Sequence, residues 1–121
     1  MHIAFRADAS LQIGTGHVMR CLTLADALRE QGAQCTFVCR PHVGHLIDLV
    51  AQRGHKVLSL SEPQANISAP ADPAHASWLG TSWAEDAEQT KQVLGAQTVD
   101  WMVVDHYALE ARWEDALRPQ A

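Results

Sequence analysis

Two short segments of this chain concentrate groups that can move protons. One is Ile13-Gly14-Thr15-Gly16-His17, with Arg20 one turn further on; the other is Asp105-His106-Tyr107. An imidazole is the side chain best suited to take a proton near neutral pH. His17 falls in the first turn of an expected helix, where the positive end of the helix dipole disfavours a second positive charge. A neutral imidazole there can serve as a general base, or it can simply decorate a helix start. Asp105 closes an apolar strand, where a carboxylate is costly unless it finds donors. It can orient an imidazole or a substrate hydroxyl, or cap a nearby turn. Tyr107 can offer a ring face to a sugar and a phenol to water, or pack in the core. Arg20 can meet a phosphate or lie in solvent. Gly14 and Gly16 permit a tight turn that leaves the helix start open to an anion.

The elements that must position these groups follow from hydrophobic spacing. His2 to Ala7 alternates as a first strand. Val18, Cys21, Leu22, Ala25 and Leu28 recur at helical spacing, and Gly32 supplies a stop. Cys35 to Cys39 is a second strand, Leu46 to Arg53 a short helix and Lys56 to Leu60 a third strand. Residues 61–82 carry Pro63, Pro70 and Pro73 and little periodicity, the mark of a long loop. Ser82-Trp83-Ala84-Glu85 has capping-box spacing and opens a helix running to about Leu94. Asp100 to Asp105 is nearly all apolar and reads as a strand buried on both faces. Glu110 to Leu117 is helical and stops before Pro119. Alternating strands and helices imply an α/β fold with a parallel sheet and right-handed crossovers. Ligands in such sheets bind beyond the carboxyl ends of the strands. In a 3-2-1-4 strand order, the loop after the first strand and the end of the fourth are neighbours there.

Composition narrows the classes. The chain has 121 residues, is 47% apolar and 19% charged, and carries a net charge of −5. That suits one globular domain and argues against nucleic-acid or anionic-membrane binding. The start lacks a basic and apolar leader, which points to the cytoplasm. Cys21, Cys35 and Cys39 are too few and too poorly spaced for a zinc site and read as reduced, buried thiols. A dinucleotide fingerprint would need glycine where Met19 stands and an acid where Arg40 stands, so NAD(P) is disfavoured and no cofactor is expected. His42, His45, His55 and His75 read as solvated.

One longer pattern goes beyond spacing. Phe5-Arg6-Ala7-Asp8-Ala9-Ser10, then Gln12 through Leu22 with its IGTGHVMRCL run, then Val103-Val104-Asp105-His106-Tyr107, resembles the hydrolase family of pseudaminic acid biosynthesis. Asp86 through Thr90 and Trp113-Glu114 extend the likeness towards the end. The resemblance implies a Rossmann-like domain of a MurG-like GT-B enzyme, with two such domains facing across a cleft. On that basis residues 1–121 form part of the N-terminal domain, and the C-terminal domain that holds most of the UDP lies outside the chain. The resemblance implies cleavage of a UDP-linked 2,4-diacetamido-2,4,6-trideoxy sugar by water, with inversion and without a metal. His17 and Tyr107 match the family's active-site histidine and tyrosine. Asp8, Gly14, Gly16, Arg20, Asp105 and His106 are then expected to line or hold the substrate site, and the fragment alone is expected to be inactive. Two other readings remain: a GT-B glycosyltransferase that uses an acceptor instead of water, and a non-catalytic nucleotide-sugar-binding module.

Overall fold

The computed structural model describes residues 1–9, 14–42, 44–61, 81–95, 99–106, 109 and 111–117. The chain runs β1 (His2–Ala7), α1 (Gly16–Glu30), β2 (Gln34–Cys39), α2 (Ile47–Gln52), β3 (Lys56–Ser59), α3 (Trp83–Leu94), β4 (Trp101–Asp105) and α4 (Ala111–Leu117). The four strands are all parallel, in the order β3-β2-β1-β4. This is the expected α/β arrangement, with β1 at the switch point between two directions of winding.

Alternation along β1 sorts the core into two layers. Ile3, Phe5 and Ala7 point to the face covered by Val18, Cys21, Leu22 and Ala25 of α1 and by Val50 of α2. Phe5 stacks on Phe37 of β2, with ring centroids 4.8 Å apart. Ala4 points the other way, to a layer formed with Val38, Ala87 and Leu94 of α3 and Trp113 and Leu117 of α4. Strand pairing aligns Ala7 with Asp105 across β1 and β4, which brings the ends of both strands to one edge.

Local signals explain the helix boundaries. Ser82 caps α3 by accepting from the Glu85 amide at 3.1 Å. Gly54 closes α2 with φ +87, and a Cβ there would come within 2.9 Å of the Arg29 guanidinium.

Two expectations are corrected. β4 is not buried on both faces: Trp101 is 64% exposed and the rest of the strand is half-buried, because among the described residues β4 lies at the sheet edge and pairs only with β1. His42 and His55 are buried, not solvated. Each is drawn in by a carboxylate, His42 by Asp8 at 3.0 Å and His55 by Asp26 at 2.8 Å, and His55 also lies against the Phe37 ring. His45 is exposed as expected, and His75 lies outside the described residues. The segment read as a long loop falls almost wholly outside them too.

Candidate active site

The carboxyl edge of the sheet gathers a cluster around Asp105. Its Oδ1 lies 2.6 Å from His17 Nδ1. The same carboxylate receives a two-pronged contact from Arg20, Nε to Oδ2 at 2.8 Å and Nη2 to Oδ1 at 2.6 Å. The Cys21 thiol donates to Oδ2 at 3.8 Å. These three partners occupy one face of α1, because residues three and four apart in a helix are neighbours. Parallel pairing of β4 beside β1 then delivers Asp105 to that face from 88 residues away.

The geometry sets the imidazole's protonation pattern. Arg20 Nη2 is 3.1 Å from His17 Nδ1, but an Arg N–H already engaged with Asp105 leaves Nδ1 to donate to the carboxylate. With the Nδ1 proton facing Asp105, the lone pair of a neutral ring sits on Nε2. The ring is held at 8% side-chain exposure and Asp105 at 19%, whereas Arg20 is 64% exposed. Burial pushes the Asp105 carboxyl up, but Arg20 and His17 outweigh it and hold it below the usual range. An Asp–His pair of this kind is the arrangement that fixes a catalytic imidazole in one tautomer and steadies the cation formed when it takes a proton. The Cys21 thiol is pushed up to about 12 by burial and by Asp105, so it is a poor nucleophile.

The glycine loop supports this cluster. Gly14 has φ +84, a backbone region that side-chain-bearing residues rarely adopt. Among the described residues, a Cβ built on Gly14 or Gly16 meets nothing within 4 Å.

Behind the cluster lies a buried ionic network. Arg6 is fully buried and contacts two carboxylates: Asp8 through Nη1 and Nη2 at 2.7 and 3.1 Å, and Asp86 of α3 through Nε and Nη2 at 3.0 and 2.5 Å. Arg40, also fully buried, reaches Asp86 at 2.7 Å and the Ser61 carbonyl at 2.8 Å. Trp113 of α4 donates to Asp86 at 2.8 Å. Asp8 further accepts from the Arg40 amide at 2.8 Å and meets His42 and His106 at 3.0 Å each. Two guanidiniums thus face two carboxylates. Burial opposes the charge on each acid, but Arg6 foremost holds Asp8 well below, and Asp86 below, the usual range. Arg40 Nε is buried without a hydrogen-bond partner among the described residues.

The structure therefore brings together His17, Arg20 and Asp105, with Gly14 and Gly16 beside them. It places Asp8 and His106 in the buried network directly behind. Tyr107 lies outside the described residues. Arg6, Arg40 and Asp86 carry the network; in the sequence Arg6 and Asp86 stood out only as parts of the resembling segments and Arg40 only as a basic residue ending β2, none as a site residue. Their signal was present: Arg6 interrupts an apolar strand, and Asp86 lies in line with Thr90 and Leu94 on the buried stripe of α3.

Among the described residues no group of three or more His, Cys, Asp and Glu side chains is arranged to hold a metal ion. His42 and His106 meet Asp8 on a carboxylate already paired with Arg6. No helix among the described residues is long and apolar enough to cross a membrane.

No family model matches the chain. Over 48 residues the chain is 46% identical to the UDP-2,4-diacetamido-2,4,6-trideoxy-beta-L-altropyranose hydrolase of Campylobacter jejuni subsp. jejuni. The match covers 40% of this chain and 16% of that protein's length, a partial likeness.

Proposed function

We propose that this chain carries the catalytic-base half of a nucleotide-sugar hydrolase that releases UDP and a free 2,4-diacetamido-2,4,6-trideoxy sugar. The observation that carries the reading is the 2.6 Å contact between His17 Nδ1 and Asp105 at the carboxyl edge of the sheet. The partial likeness to a hydrolase of a UDP-linked sugar supports the substrate class.

The chemistry needs little else. Ordinary glycosidases use two carboxylates, one to protonate a poor leaving group. A nucleoside diphosphate departs readily as an anion, so no acid is required. His17 Nε2 accepts a proton from water as the water oxygen bonds to the anomeric carbon. The bond from that carbon to the diphosphate oxygen breaks, and its electron pair leaves with UDP. Attack from the face opposite UDP inverts the anomeric centre. Asp105 orients the imidazole and steadies the imidazolium. Tyr107, two residues beyond Asp105, is assigned to positioning the water or sugar. Asp8 and His106 brace the site from behind, and a second α/β domain outside these 121 residues supplies the other wall and most of the UDP contacts.

The test is UDP release by the complete protein with His17→Ala. A general base contributes about 10²–10⁴ in rate, so a loss of that size is expected. Release within a few-fold of the parent would remove His17 from the mechanism.

A further inference from the structure

Asp105 serves two masters. Its Oδ1 lies 2.6 Å from His17 Nδ1 and 2.6 Å from Arg20 Nη2, so one oxygen divides its charge between the imidazole and a guanidinium. The two competitors differ sharply in setting. His17 is packed at 8% side-chain exposure, whereas Arg20 is 64% exposed on a long, flexible stem. An ion pair whose cation stands mostly in water is weak and readily exchanged. A phosphate group, by contrast, offers a guanidinium the same two-pronged geometry with more negative charge. Arg20 also sits one turn beyond His17 on the same helix face, in the first turns of the helix that Gly16 opens.

We propose that Arg20 is a positioning residue that a diphosphate group draws off Asp105, so that the carboxylate no longer divides its charge between His17 and a guanidinium. This deepens the hydrolase reading and rests on it for the identity of the anion. With Arg20 in place, the guanidinium neutralises Asp105 and crowds Nδ1 at 3.1 Å. Once Arg20 turns to the leaving group, Asp105 becomes a stronger acceptor for the Nδ1 proton. The imidazole is then held more firmly in its Nδ1–H tautomer only when a substrate is bound, and the departing diphosphate acquires a cation. Among the described residues, charged or titratable groups that meet His17 in this arrangement include Asp105 from β4 and Arg20 from its own helix, with the Cys21 thiol on the far oxygen of Asp105. No bond is made or broken in the exchange.

The experiment uses the complete protein, inorganic pyrophosphate as the probe, and the NMR resonance of the His17 Nδ1 proton as the readout. A stronger hydrogen bond to Asp105 moves that proton downfield. In the parent, millimolar pyrophosphate is expected to move it downfield and saturate. In Arg20→Gln the resonance is expected to lie downfield already and to ignore pyrophosphate. Arg20→Lys, which keeps a charge but loses the fork, is expected to fall between the two. The proposal is overturned if Arg20→Gln leaves the resonance at the parent position, if pyrophosphate moves it equally in parent and variant, or if the parent does not respond. These readings do not involve turnover. Failure of the hydrolase reading would show instead in the products formed by the complete protein, with the proton's response intact.

Discussion

Asp86→Leu should be among the most damaging single substitutions in the chain. Asp86 is fully buried and accepts four hydrogen bonds at 2.5–3.0 Å, two from Arg6, one from Arg40 and one from Trp113. Leucine matches its size closely but removes one of two anions that balance two buried guanidiniums. Breaking a buried ion pair by removing one partner costs about 3–5 kcal/mol, because the other charge is left stranded. Here two cations lose a partner, which favours the upper half of that range. Domains of this size are stable by only about 5–15 kcal/mol, so a large share of the total is at stake. With a urea slope of about 2 kcal/mol per molar, the unfolding midpoint should fall by about 2 M. The second arm adds Arg40→Met. The double variant keeps Arg6 opposite Asp8 and strands one charge fewer, so it should recover about 1–3 kcal/mol relative to the sum of the single changes. Equilibrium urea unfolding followed by circular dichroism reads all three variants. A cost below about 1 kcal/mol for Asp86→Leu, or strict additivity in the cycle, would refute the network as a coupled unit.

Three further outcomes follow. Asp105→Asn in the complete protein should lower the rate of UDP release by about 10²–10⁴ while leaving the KM for the UDP-sugar within a few-fold, since it disturbs the tautomer of His17 and not the fold; a KM effect alone would assign Asp105 to binding. Stability should decline in two stages as pH falls. His106 is lowered by burial, so its contribution is complete above its ordinary value near 6.5 and is lost as pH falls through its lower folded value. Asp8 and Asp86 are held below their ordinary value of 3.8, so theirs is lost only below about pH 4; urea midpoints across pH 3–8 should show both stages, and His106→Gln should remove the upper one. Burial first, then Asp8, pushes the Cys39 thiol up to about 12, and Cys21 is pushed as far. All three cysteines are free and buried, so a thiol reagent should find none of them promptly in the folded chain and all three in urea.

Much of the fold was legible because its signals are local. Strand alternation in His2–Ala7, the capping serine before α3 and the glycines closing α1 and α2 all concern neighbours in sequence, and the structure matches them within a residue or two. The 3-2-1-4 order, taken as a condition for bringing the two segments together, is the order the sheet has. What sequence hid was contact across long separations. An apolar run such as Trp101 through Val104 looks the same in a central strand as at an edge; only its neighbours decide. His42 and His55 looked like surface residues because nothing nearby in sequence shows that Asp8 and Asp26 would draw them inward. His17 and Asp105 were each singled out, but their pairing needs β4 beside β1. Arg6 and Asp86, 80 residues apart, have meaning only as a pair.

The central claim is that His17, oriented by Asp105, drives water onto the anomeric carbon of a nucleotide sugar. Turnover of the UDP-linked diacetamido sugar by the complete protein in 18O-labelled water tests it most directly. The account predicts the label on the anomeric carbon of the released sugar and unlabelled UDP. Label in the diphosphate would mean attack at phosphorus and would contradict it.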